Sequence, residues 1–157
     1  MKRLFAFFFL ALSAPMGAQA ETIGKWNSGD VNGFTRYWTT NDVGSNFVVW
    51  CHPERQVNGT LLHVEIEGRM PPPNSRVRVI LDSSVLDVLV NEHGYIGTGC
   101  PACSDSFGYI WHKIRSSRTL AVKYPDDTYA GFSLKGAPNV LPGSVCPTDW
   151  QKRKASS

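Results

Sequence analysis

Hydrophobic and polar residues alternate along much of the chain in short runs, and this pattern predicts a mainly β protein. Strict alternation in Leu62–Glu67 directs Leu62, Val64 and Ile66 to a core and the residues between them to water. Turn residues separate the runs, as at Gly29-Asp30, Asn32-Gly33, Asn58-Gly59 and Asp126-Asp127. We therefore expect an antiparallel β-sandwich or barrel, with strands near residues 34–38, 46–51, 60–67, 76–82, 85–90, 119–124 and 128–133.

One segment has helical spacing instead. Phe107, Ile110, Trp111 and Ile114 recur at intervals of three and four residues, and Ser104 is a suitable N-cap before them. A helix is therefore predicted after Ser104. A second, shorter helical turn is expected at residues 136–141, where Pro142 would stop it.

The first twenty residues have the pattern of a cleaved export signal. Lys2 and Arg3 precede an apolar run over residues 4–12, and Ala18-Gln19-Ala20 follows. Nine apolar residues are too few to cross a bilayer, which needs about 20. We expect a signal peptide at 1–20, a single disulfide-stabilised domain at 21–150, a basic flexible tail at 151–157, and a periplasmic or secreted product without a transmembrane segment.

Removal of that signal changes the charge of the chain. Sixteen basic and thirteen acidic residues give a net charge of +3, and loss of Lys2 and Arg3 reduces it to +1. Three of the remaining positive charges, Lys152, Arg153 and Lys154, are consecutive near the C-terminus. A nearly neutral domain lacks the basic face that nucleic-acid binding requires, so we expect no nucleic-acid partner.

Four cysteines suit an oxidising compartment and allow three pairings. Our interpretation pairs the near neighbours Cys100 and Cys103, which leaves Cys51 bonded to Cys146. The long-range bond would close most of the domain, and its loop-closure entropy corresponds to about 4 kcal/mol.

Cys100-Pro101-Ala102-Cys103 allows two functional interpretations. A disulfide there can clip the turn between Gly99 and Ser104, or it can expose a reactive thiolate at the start of the following helix. The motif lies deep in a chain without strand–helix alternation, which favours the structural interpretation. A zinc site that adds His93 and His112 lacks a second closely spaced ligand pair, so we expect no metal and no cofactor.

The remaining candidate sites are a pair of glutamates and three of the tryptophans. Glu65 and Glu67 lie on the solvent side of an amphipathic strand, which is typical of a hydrated face rather than a catalytic pair. We expect Trp50 to pack near the disulfide of Cys51. Trp26 and Trp38 lie in turn-rich sequence, and we expect them to form an exposed binding patch for a protein or carbohydrate.

A resemblance to a known family supports an exported binding protein. The run Phe132-Ser133-Leu134-Lys135-Gly136-Ala137, then Val140-Leu141 and Cys146, resembles the C-terminal signature of exported proteins of the invasion-associated locus B type. An early strand ending in a cysteine, at residues 47–51, also matches that family. The resemblance implies a β-sandwich-like domain with a Cys51–Cys146 bond and association with the cell envelope.

Together these features predict a non-enzymatic exported binding module for a protein or envelope partner. One variant is an inhibitor or immunity protein that inserts a loop into an enzyme, for which residues 68–75 and 92–106 are the candidate loops. The alternative is a thiol-disulfide oxidoreductase that uses Cys100 and Cys103.

Overall fold

The computed structural model describes residues 23–157, so the predicted signal peptide lies outside the described residues. In this part of the chain the strands are β1 (Asn27–Val31), β2 (Phe34–Thr40), β3 (Asn46–Cys51), β4 (Thr60–Glu65), β5 (Arg76–Leu81), β6 (Ser84–Leu89), β7 (Ile96–Gly97), β8 (Thr119–Lys123) and β9 (Tyr129–Ser133). The helices are α1 (Pro101–Ser116), α2 (Ala137–Val140) and α3 (Asp149–Ala155).

The strands form two antiparallel sheets. One has the order β1-β2-β3-β4-β7 and the other the order β6-β5-β8-β9. The rings of Trp26 and Phe132 approach the ring of Phe47 with centroids 6.1 and 5.8 Å away, which packs the two sheets against each other. The predicted alternation is confirmed, since Leu62, Val64 and Ile66 are almost completely buried. The mainly β fold is thus confirmed, as a sandwich.

The first hairpin corrects one predicted turn. Gly29 and Asp30 lie inside β1, and the chain reverses at Asn32-Gly33, where both residues have positive φ of 49° and 82°. Two such residues are what a two-residue hairpin turn requires. Gly29 lies beside the ring of Trp38, from which a Cβ at this position would be 3.6 Å away, an ordinary van der Waals contact.

Helix α1 forms as predicted but begins earlier. Phe107, Ile110, Trp111 and Ile114 are buried against the sandwich. The N-cap is Cys100 rather than Ser104, since the Cys100 Sγ accepts a hydrogen bond from the Cys103 N–H at 3.0 Å and Pro101 fits the first helical position. Ser104 is buried, and its hydroxyl lies 2.8 Å from Thr148 Oγ1.

The prediction of a flexible tail at 151–157 is wrong, because most of this segment belongs to α3. Thr148 and Gln151 cap the helix reciprocally, which is a capping box. Lys152 is only 9% exposed, and its Nζ lies 3.0 Å from the Asp149 carboxylate. The same Nζ donates to His52 O and Thr60 Oγ1. A buried, fully partnered ammonium holds the C-terminal segment on the domain.

Both proposed disulfides are present, Cys51–Cys146 and Cys100–Cys103. The first joins the end of β3 to the segment before α3, and both of its cysteines are buried. It closes a loop of 95 residues, whereas the second spans three.

We expect Lys152→Met to destabilise the domain by about 3 kcal/mol, because it leaves the Asp149 carboxylate buried without its counter-charge. Lys154→Met is the matched control, since Lys154 lies on the same helix and is exposed. Urea unfolding monitored by tryptophan fluorescence measures both. Equal, small effects of the two substitutions would contradict the buried ion pair.

Removal of the long-range disulfide should cost more than removal of the short one. The loop-entropy model gives about 4 to 5 kcal/mol for the Cys51→Ala, Cys146→Ala variant and about 2 kcal/mol for Cys100→Ala, Cys103→Ala. Equilibrium unfolding of the two double variants checks the order, and the reverse order would show that the long bond does not hold the sandwich together.

Candidate functional site

The outward face of the five-stranded sheet carries several aromatic rings in neighbouring rows. Register places Arg36, Trp50 and Leu61 in one row across β2, β3 and β4. The neighbouring row holds Trp38, Val48 and His63. The side chains of both rows lie on the same, outward face of the sheet. Because Phe47, Val49 and Cys51 alternate with them into the core, these side chains must point away from it.

Part of this face forms an open groove of about 550 Å³, here called the aromatic groove. Its rings contact one another edge to face: Phe34 lies 5.9 Å from Trp50, and Tyr95 lies 5.4 Å from His63. The Arg55 guanidinium lies over the Phe34 ring at 5.6 Å. The lining consists of Val31, Asn32, Phe34, Trp50, Arg55, Asn58, Leu61, His63 and Tyr95.

The groove carries one fixed positive charge and no acid. Arg55 supplies that charge, and the remaining lining residues are apolar, amide or aromatic. Burial lowers the pKa of His63, and Glu65, 4.0 Å away, opposes this only in part, so His63 is neutral at pH 7. The groove is therefore an apolar, ring-rich surface with a single cation at one wall.

The loop 52–59 forms that wall and is held from both ends. His52 Nδ1 accepts from the Glu54 and Arg55 N–H groups, and Arg55 Nε donates to Val57 O. Helix α3 also fixes the loop, because Arg153 Nη1 donates a hydrogen bond to Gln56 O at 2.7 Å. The groove wall is thus preorganised rather than dependent on a partner.

The structure corrects the expected tryptophan patch. Trp26 is 4% exposed, and its Nε1 donates to Ser133 O between the sheets. Trp38 does lie on the outward face but is 8% exposed, because the Arg36 guanidinium covers its ring at 3.9 Å. Neither forms an exposed patch, since each buries its large apolar area against neighbours.

Trp50, rather than Trp26 or Trp38, is the tryptophan that is partly exposed on the outward face of the sheet. It is half-buried on the outward face, opposite to Cys51, so the expectation that it packs near the disulfide is wrong. The signal lay in the alternation of residues 46–51, which sets Phe47, Val49 and Cys51 on one side and Trp50 on the other.

The Cys100–Cys103 pair forms a second candidate site. Both cysteines are half-buried at the N-terminus of α1. They line two cavities, one of about 460 Å³ and one of about 140 Å³. Arg153 lines the larger cavity, and its guanidinium donates to the carbonyl of Gly99, directly before Cys100.

The described part of the chain contains neither a cluster of metal-binding side chains nor a helix that could span a membrane. Within residues 23–157, no group of three or more His, Cys, Asp or Glu side chains could hold a metal ion. No helix of these residues is long and apolar enough to cross a membrane.

Comparisons with known proteins identify a family and no individual relative. No curated protein and no solved structure matches the chain significantly. The resemblance to the invasion-associated locus B type therefore stays a prediction. A family model described as YfjT matches residues 24–141, which span both sheets, α1 and α2 and end before Cys146 and α3. The chain belongs to the YfjT family.

Proposed function

We propose that the chain is an exported binding module whose aromatic groove contacts a protein partner outside the cytoplasm. The export part follows from the signal-like sequence at residues 1–20, and two disulfide bonds suit an oxidising compartment. The binding part is supported by the composition and shape of the groove.

The main observation is the cluster of Trp50, Tyr95 and Arg55 in one concave surface. Tryptophan, tyrosine and arginine are the residue types that dominate binding energy at protein interfaces, and they do so from well-packed central positions. Here each ring is braced by another ring, so little side-chain entropy remains to be lost on binding.

The charge of the groove suggests the chemistry of the partner segment. Arg55 stands at the rim without an acidic neighbour among the lining residues, while the floor at Leu61 and Trp50 is apolar. A segment that presents an apolar or aromatic side chain beside a carboxylate would match both features. If the partner is an enzyme, binding at this groove would make the chain an inhibitor or immunity protein.

Site-specific photo-crosslinking in the producing cell tests this proposal. Benzoylphenylalanine at Phe34, in the groove, should give one discrete adduct of higher mass. The same group at Tyr129, which is exposed on β9 of the other sheet, is the matched control and should not. Equal labelling from both positions, or a glycan adduct at Phe34, would contradict a protein partner at the groove.

Trp50→Ala should reduce the yield of the Phe34 adduct at least tenfold, as expected for a central interface tryptophan. The fold should persist, because Trp50 points away from the core. Tyr129→Ala is the control and should leave the yield unchanged. Adduct formation is quantified by mass spectrometry, with unfolding curves for all variants. An unchanged yield in a folded Trp50→Ala protein would rule out this groove as the contact surface.

A further inference from the structure

We propose that Cys100–Cys103 is a thiol-disulfide exchange site that oxidises a cysteine pair of the polypeptide bound in the aromatic groove. The exchange site stands on its own geometry, and the delivery of the polypeptide to it rests on the proposed function. This assigns chemical work to a disulfide that the sequence alone favoured as structural.

The first support is the place of Cys100 on α1. Its Sγ already accepts the Cys103 N–H at 3.0 Å, and α1 has sixteen residues and no acidic side chain in its first turn. After reduction, the same N–H and the positive end of the helix would stabilise a Cys100 thiolate. The thiolate is the reactive form in disulfide exchange.

A cation from another helix adds to this effect. Arg153 of α3 donates to Gly99 O, next to Cys100, and is anchored by its second hydrogen bond to Gln56 O. Other charges also face the pair: Asp149 of α3 lines the same cavity, but Lys152 neutralises it at 3.0 Å.

On the opposite side, the smaller cavity has one charge of each sign, Arg76 of β5 and Asp87 of β6. On α1 itself, Asp105 is exposed beyond the first turn. The electrostatic surroundings of Cys100 therefore favour a negative sulfur.

The pair is accessible where the other disulfide is not. Cys100 and Cys103 are half-buried and line open cavities, whereas Cys51 and Cys146 are 7% and 8% exposed. The rim beside the pair carries two exposed apolar side chains, Val57 and Leu89. Such a rim can hold a polypeptide against the disulfide.

The larger cavity adjoins the aromatic groove. Asn58 lines both, and its Oδ1 accepts a hydrogen bond from Asn91 Nδ2 at 3.5 Å. A segment lying on Trp50 and passing over Asn58 would enter the cavity that the Cys100–Cys103 pair lines. The same loop, 52–59, borders both sites.

The exchange balances in two steps. A thiolate of the bound polypeptide attacks Cys100 Sγ, a mixed disulfide forms, and Cys103 leaves as the thiolate. The second cysteine of the polypeptide, as its thiolate, then attacks the sulfur of the polypeptide's first cysteine in the mixed disulfide. Cys100 leaves as the thiolate. The polypeptide loses two electrons and two protons to become a disulfide, and Cys100–Cys103 gains the two electrons. Stabilisation of the Cys100 thiolate favours this direction.

The reactivity of Cys100 tests the exchange site without any partner. In Cys103→Ser, we expect iodoacetamide to alkylate Cys100 at pH 6 at least about tenfold faster than it alkylates Cys103 in Cys100→Ser, because an ordinary thiol is mostly protonated there. Arg153→Gln should slow Cys100 alkylation, and Arg153→Lys should preserve it. An alkylation midpoint of Cys100 at or above about 8.5 would overturn the exchange site.

Exchange itself is measured with a reduced synthetic peptide that bears two cysteines. One equivalent of oxidised protein should convert the peptide to its disulfide, detected by acid quenching and mass spectrometry, with Cys51–Cys146 left intact. Cys100→Ser, Cys103→Ser is the control and should leave the peptide reduced. Oxidation by that control, or reduction of Cys51–Cys146 instead, would contradict the assignment.

Delivery is tested by trapping in the producing cell. In the unaltered protein, rapid acid quenching and alkylation of free thiols should trap the mixed disulfide between Cys100 and the same protein that crosslinks to Phe34, identified by mass spectrometry. Adding Trp50→Ala should abolish the trapped species while the iodoacetamide reactivity of Cys100 is unchanged. A trapped species that persists with Trp50→Ala would overturn delivery by the groove. Absence of the Phe34 adduct, with Cys100 still reactive, would count against the proposed function and the delivery that rests on it, while the exchange site would stand.

Discussion

A buried ion pair between Asp149 and Lys152 is the constraint on which both candidate sites depend. The Asp149 carboxylate accepts the N–H groups of Gly59 and Thr60, and the Lys152 ammonium donates to His52 O and Thr60 Oγ1. Two opposite charges buried together are tolerated only when each has further hydrogen-bond partners, and here both have them. This pair joins α3 to the start of β4 and to the loop 52–59.

The close packing around the end of the loop 52–59 explains why residue 59 is a glycine. A Cβ at this position would lie 2.1 Å from Arg55 O and 2.9 Å from the Lys152 ammonium. Any side chain would clash with the backbone of the loop itself at Arg55 and would crowd the Lys152 ammonium of α3. Because the loop supplies Arg55 to the aromatic groove and Asn58 to both sites, its position decides the shape of each.

The three consecutive basic residues near the C-terminus illustrate how tertiary structure distributes one sequence feature. Lys152 balances a buried carboxylate, Arg153 bonds to the carbonyls of Gln56 and Gly99, and Lys154 is exposed. Helical geometry separates them by about 100° each, so three adjacent charges face three different surroundings. A composition-based interpretation treats them alike and predicts a tail.

The sequence by itself determined the parts that depend on local periodicity. Alternation of period two in Leu62–Glu67 predicts a strand, and the helical spacing from Phe107 to Ile114 predicts α1, because burial of one face imposes those periods. It also suggested both disulfides, since one close pair leaves only one partner for each remaining cysteine.

Only the tertiary structure decided which faces are covered and what lies beside what. Trp26 and Trp38 are covered by Phe47 and by Arg36, and local sequence cannot show such contacts. The groove joins β2, β3, β4 and the loop before β7, and the charge beside Cys100 comes from Arg153, 53 positions later. Contacts between distant segments depend on how the sheets and α3 pack, so residue periods predict the strands but not the sites that the strands build.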